Sequence, residues 1–202
     1  MKLIKTMSKP VVTIDTDALN NIKYMALAND AEAACHLLAE RTDDGYIVYG
    51  DAFIPPQIVT GVTVDTDPID YALWCASLPD EVVENMRCHA HSHVNMQVFS
   101  SGTDDEYQLD QIKQVQDFYI FIITNKRNEL YVRVYDMEKG IMYDNDDLEI
   151  VTETYTVPAD VAERWQLAVR KPQPVQKPTY NKDWYNQMVL EQIERKQYAG
   201  LE

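Results

Sequence analysis

The seven residues Phe118 to Thr124 (FYIFIIT) form a nearly continuous apolar run. A strand with one wet face alternates apolar and polar residues, so a short run without alternation predicts a central strand covered on both sides. Two layers must then be supplied by the rest of the chain.

The flanking segments supply them. Val11 to Ile14 reads as a strand, and Asp15, Thr16 and Asp17 are candidate caps for a helix whose apolar face is Leu19, Ile22, Met25 and Ala26. Ala33 to Ala39 and Tyr46 to Ile54 read as a hairpin about the Asp43-Asp44-Gly45 turn, stopped by Pro55 and Pro56. Ile58 to Val64 adds a strand, and Asp67-Pro68 places a cap and a first-turn proline before a helix to about Ser77. Met86 to His93 reads as a strand, and Ser101 opens a helix with Leu109, Ile112 and Val115 on its apolar side. After the apolar run, Leu130 to Tyr135 alternates as an outer hairpin strand, Leu148 to Val157 adds another strand, and Pro158 starts a helix with Val161, Trp165 and Leu167. This order predicts an α/β fold, a mixed β-sheet sandwiched by helices. The stretch Lys171 to Pro178 (KPQPVQKP) reads as a linker. It divides a domain over residues 1–170 from a tail over 171–202, in which Trp184 to Tyr198 forms a weakly amphipathic helix expected to dock on the body or on a partner.

Charge and cysteine usage narrow the function. With 18 Lys and Arg against 33 Asp and Glu, the net charge of −15 leaves no basic patch for phosphates, so nucleic acid is not an expected partner. Three widely spaced cysteines, Cys35, Cys75 and Cys88, suggest neither a disulfide framework nor a thiolate zinc knuckle and fit a reducing cytoplasm. No apolar run is long enough to span a bilayer, and the N-terminus has no secretory pattern.

Three of the four histidines crowd into Cys88-His89-Ala90-His91-Ser92-His93. On a strand, His89, His91 and His93 share one face while Cys88 points the other way, which weakens a Cys-His nucleophile reading. Neighbouring imidazoles can converge on one borderline-soft cation such as zinc. Ser101 and Asp104 follow with the spacing H-x-H-x7-S-x2-D, and a carboxylate there completes a His2Asp set with one position open for water. The same Ser101 and Asp104 also read as a capping box, and both readings can hold together. A deaminase is disfavoured because H-x-E with P-C-x-x-C is absent.

The segment His91 to Asp104 (HSHVNMQVFSSGTD), with an upstream glutamate, resembles the signature H-[ST]-H-x7-S-x2-D of the JAMM (MPN+, JAB domain) metallopeptidases. The resemblance extends from about Val11 to Tyr135 and lies nearest the prokaryotic and phage-encoded members. It places Glu32, at the head of Glu32-Ala33-Ala34-Cys35-His36-Leu37-Leu38-Ala39, at the family's catalytic glutamate. It implies a JAB/MPN, cytidine-deaminase-like architecture in which His91, His93 and Asp104 hold one Zn2+. Glu32 then takes a proton from zinc-bound water and passes it to the leaving amine, and Ser101 steadies the oxyanion. The implied substrate is a peptide or isopeptide bond at the extended C-terminal tail of a ubiquitin-like or similar protein, in a bacterial or phage-infected host cytoplasm. The alternative is a zinc-bearing, non-catalytic interaction or phage structural module of the same fold. Departures are Val94 where many members have proline, Cys35 and Ala39 in place of glycines, and His89 in place of an aromatic residue. His89 reads as a second-shell donor, a substrate contact or a satisfied core histidine, and His36 as structural.

Overall fold

β7 (Phe118–Thr124) is buried along all seven residues, as an uninterrupted apolar run demands. The computed structural model describes residues 8–60, 64–153 and 159–170. In it β7 lies parallel to β6 (Met86–Ser92) on one side and antiparallel to β8 (Leu130–Asp136) on the other. Around these, β1 (Val11–Ile14), β2 (Ala34–Arg41), β3 (Gly45–Phe53), β9 (Ile141–Tyr143) and β10 (Glu149–Thr152) complete a curled, mixed, eight-stranded sheet in the order β10-β1-β3-β2-β6-β7-β8-β9.

Alternation along the strands gives the sheet two chemically different faces. Cys35, Leu37 and Ala39 of β2, Cys88 and Ala90 of β6, Ile120 and Ile122 of β7, and Val132 and Val134 of β8 enter one apolar core. Helix α1 (Thr16–Ala28) covers it with Leu19, Ile22 and Met25, beside Val161 and Trp165 of the last described helix, Ala159–Ala168. Asp15 caps α1 by accepting from the Ala18 N–H at 2.8 Å and binds the Gly50 N–H at 3.0 Å, tying the helix start to β3. The opposite face carries polar and aromatic side chains, including His36, His89 and Arg133, and meets helices α2 (Pro68–Ser77) and α4 (Gly102–Ile112). Between α2 and β6 stands a short helix α3 (Asp80–Asn85), whose start at Pro79 carries too few residues to show a period in the sequence.

Several expectations change. Ile58 to Val64 is not one strand: β4 (Gln57–Val59) and β5 (Val64–Asp65) run antiparallel, and with β11 (Val169–Arg170) they form a separate three-stranded sheet. β8 is not an outer strand, because β9, short and without alternation, pairs beyond it. Leu109 of α4 and Leu167 are exposed, and the buried α4 residue is Gln108, so polar contacts and the Tyr107 ring rather than an aliphatic stripe seat that helix. β6 stops at Ser92, one residue short of His93. The strand expected over Leu148 to Val157 is seen over Glu149–Thr152; residues 154–158, the linker, the C-terminal helix and the boundary between 1–170 and 171–202 lie outside the described residues. No described helix is long and apolar enough to cross a membrane.

The parallel pairing of β1 with β3 sets Val11 opposite Gly45, and a Cβ on Gly45 would lie 1.9 Å from the Val11 carbonyl oxygen. That oxygen is backbone and cannot step aside. Gly45→Ala is therefore expected to destabilise the fold by about 3 kcal/mol, measured by urea unfolding.

Candidate metal centre

The strand register brings all four histidines of the chain into one row. His36 on β2 pairs with His89 on β6, and Ala34 pairs with His91. Ring centroids lie 5.3 Å apart for His36 and His89, 5.8 Å for His89 and His91, and 5.0 Å for His91 and His93. Continuing the register, Glu32, two residues before Ala34, falls opposite His93.

The loop after β6 fixes His93. Its N–H donates to the Thr124 carbonyl at 2.8 Å, and the Lys126 N–H donates to the Val94 carbonyl at 2.7 Å, so the end of β7 grips both sides of Val94. Asn125, fully buried, donates to the Met96 carbonyl at 2.8 Å and accepts from the Arg127 N–H. Val94 takes φ 47, a left-handed conformation costly for a β-branched residue and closed to proline, whose ring fixes φ near −65°. Beyond it, the Gln97 carbonyl lies 2.9 Å from His93 Nδ1. A carbonyl can only accept, so Nδ1 carries the proton and Nε2 presents its lone pair.

Asp104 arrives from the first turn of α4, where the capping box is formed: Asp104 N–H donates to Ser101 Oγ at 3.2 Å, and Ser101 N–H donates to Asp104 Oδ2 at 2.7 Å. The cap fixes the carboxylate so that Oδ1 lies 3.1 Å from His91 Nε2 and Oδ2 lies 3.5 Å from His93 Nε2. Ligand atoms of His91, His93 and Asp104 all fall within 4.8 Å of one another. Zinc bonds of about 2.0–2.2 Å in a tetrahedron set ligands about 3.4 Å apart, so the two contacts already have that spacing. His91 Nε2 is buried and, among the described residues, makes no hydrogen bond of good geometry despite its short distance to Asp104. A buried nitrogen left unmatched is costly unless a cation takes its lone pair, and on this observation the His2Asp set fits a divalent ion.

Electrostatics follow from burial and these contacts. Burial works against the Asp104 carboxylate, but hydrogen bonding and charge from His91 and His93, with the Ser101 side chain, outweigh it and hold its pKa well below the ordinary range. Burial likewise opposes the His93 cation, yet Asp104, the Gln97 carbonyl and Glu32 raise its pKa. Glu32, 8% exposed, has its pKa raised by burial, with His91 and His93 pulling the other way, so its carboxyl lies within electrostatic reach of the cluster without belonging to it.

Glu32 does not open β2 but precedes it by two residues, in a segment held by three neighbours. Its N–H donates to the Thr60 carbonyl at 3.0 Å, the Ala33 N–H donates to Ser92 Oγ at 3.2 Å, and buried Gln57 binds Ala34 through both its N–H and its carbonyl at 2.9 Å. Gln57 and Ser92 were not singled out from the sequence. Each is a polar residue buried at a strand end, and no spacing rule marks the carbonyls they serve.

No family model matches the chain, and no curated protein matches it. The centre therefore stands on its own geometry: a buried His-His-Asp cluster able to chelate a divalent ion.

His89 lies outside that cluster. Its ring packs 4.9 Å from Tyr107 and 6.2 Å from Phe121, and its Nδ1 is buried without a hydrogen-bond partner among the described residues. His36 is a satisfied core residue, with Nε2 3.0 Å from the Tyr71 hydroxyl and Nδ1 3.4 Å from the Tyr119 hydroxyl. Burial pushes its pKa down to about 4. The unfolded chain takes up this proton below about pH 6.5 and the folded chain resists to about 4, so His36 stabilises fully above that window and progressively less through it. Between pH 7 and 5 the loss from His36 is about 2 kcal/mol. Urea unfolding at the two pH values checks it, with His36→Phe reducing the difference.

Proposed function

We propose that the chain is a zinc-dependent hydrolase of the JAMM type, cleaving a peptide or isopeptide bond at an extended C-terminal tail such as that of a ubiquitin-like protein. The observation that carries this reading is the buried His91 Nε2, unmatched among the described residues, in a three-residue chelating cluster, with a separate buried carboxyl, Glu32, whose proton affinity responds to the charges of the same three residues. A zinc ion bound there supplies a Lewis acid that polarises a carbonyl and makes water acidic near neutral pH.

The chain's own groups divide the remaining work. Glu32 is the proton carrier: burial raises its affinity for a proton, so it accepts one from the attacking water and delivers it to the departing amine. Ser101 Oγ accepts from the Asp104 N–H and keeps its own proton to donate to the developing oxyanion. Phe99, half-exposed and edge-on to His93 at 5.8 Å, gives an apolar shoulder against which a peptide can lie. Net charge of −15 favours a basic or neutral tail over a polyanion, and three free cysteines suit a reducing cytoplasm.

The test is incubation of zinc-loaded protein with a panel of ubiquitin-like proteins carrying C-terminal fusions, alongside a chelated control. Cleavage lost on chelation and restored by zinc supports the hydrolase reading. Stoichiometric zinc with every fusion intact supports the non-catalytic module instead.

A further inference from the structure

Helix α4 delivers Asp104 to the cluster, and its seat on the sheet is largely polar: Leu109 is half-exposed, the Tyr107 ring rests on His89 and Phe121, and the helix's buried residue is Gln108. What meets it is Arg133. The strand register continues the histidine row across the sheet, from His36 on β2 to His89 on β6, Phe121 on β7 and Arg133 on β8, so the guanidinium emerges on the metal-centre face. Its side chain is about nine-tenths buried.

From there Nη1 donates to Asp105 Oδ1 at 2.6 Å, to Gln108 Oε1 at 3.1 Å and to Ser100 Oγ at 3.2 Å. Ser100 precedes the cap of α4, Asp105 lies in its first turn and Gln108 one turn further on. They are also joined to one another: Ser100 Oγ donates to Asp105 Oδ1 at 2.5 Å, and Gln108 Nε2 donates to Ser100 Oγ at 3.1 Å. Tyr135, on the same face of β8, donates to Gln108 Oε1 at 3.2 Å. On the other side Nη2 donates to Asp144 Oδ2 at 3.3 Å, while Asp144 also accepts from the Tyr131 hydroxyl, which fixes the guanidinium plane. Asp104 lies between Ser101 and Asp105, inside the span that this network closes.

We propose that Arg133 is a positioning residue for the metal ligand Asp104, acting by clamping the first turn of α4 onto β8. The proposal rests on the reading that the cluster binds a metal. A planar guanidinium reaches several fixed acceptors at once, as an ammonium cannot, and an outer group that orients a ligand typically carries about 10- to 100-fold in metal affinity. Removing Arg133 leaves Asp105 and Asp144 with side chains 49% and 41% exposed, so water can solvate the freed carboxylates and the fold is expected to survive.

The experiment is a double-mutant cycle on the full chain, with zinc affinity read by chelator competition and first-turn α4 amide exchange read on metal-free protein. Arg133→Met is expected to weaken zinc binding about 10- to 100-fold in wild type but less than about twofold in the Asp104→Ala background. In metal-free protein it is expected to speed exchange of the Asp104 and Asp105 amides while those of β7 stay protected. Arg133→Lys should recover little. If Arg133→Met does not fold, Gln108→Ala, which removes one acceptor and leaves every charge paired, carries the same comparison. Unchanged zinc affinity in the single variant, an equal loss in the Asp104→Ala background, or unchanged amide exchange overturns the clamp. A wild-type chain that binds no zinc overturns the metal reading, and the amide-exchange arm still decides whether Arg133 holds the turn.

Discussion

Glu32→Gln is expected to slow cleavage about 10²- to 10⁴-fold, the range carried by a positioned general acid or base, while zinc remains bound with wild-type affinity. The substitution is nearly isosteric and removes only the capacity to take a proton. Glu32 lies outside the chelating cluster, and the backbone hydrogen bonds that hold its segment, from Thr60, Ser92 and Gln57, do not involve its side chain. Losses of metal and of rate should therefore separate. Steady-state kinetics with a cleaved fusion and chelator competition on the same preparation measure the two. A variant that cleaves like wild type removes Glu32 from the chemistry, and one that loses zinc makes it a ligand.

Asp104 has two roles, and two substitutions divide them. Zinc at about 100 times its dissociation constant stabilises a one-site protein by about 2.7 kcal/mol. For a chain of this size that raises Tm by about 5–10 °C. Asp104→Ala is expected to remove most of the rise, leaving the weaker binding of two histidines, and also to lower the metal-free Tm by a few degrees, because losing the N3 half of the capping box costs about 1 kcal/mol. Asp104→Asn keeps an oxygen to accept from the Ser101 N–H but lacks the charge, so it should lose the zinc response and keep the metal-free Tm. Thermal denaturation with and without zinc reads all three proteins.

The parts legible in the sequence are those governed by local periodicity. The seven-residue apolar run predicts β7 and its double cover, and period-2 alternation sends Cys88 into the α1 core while His89 and His91 face the other way. The spacing of Ser101 and Asp104 reads correctly as a cap, and the fold makes that cap the device that aims the carboxylate. What the sequence hides is long-range. Gln57 binds Ala34 across 23 positions, and Arg133 reaches Asp105 across 28, so no window contains either pair. β4 and β5 read as one strand because Ile58 to Val64 alternates, and only their antiparallel pairing shows the reversal. Leu109 obeys helical periodicity and is exposed all the same, because α4 is seated by Tyr107 on the sheet and by Gln108 on Arg133.

The central claim is that His91, His93 and Asp104 form one metal site. Crystals of the full chain grown with zinc, measured above and below the zinc absorption edge, test it directly. The account predicts a single strong anomalous peak bonded to the Nε2 atoms of His91 and His93 at about 2.0–2.1 Å and to an Asp104 oxygen at about 2.0–2.2 Å. A peak on other residues, or none at this cluster with zinc in excess, would contradict it.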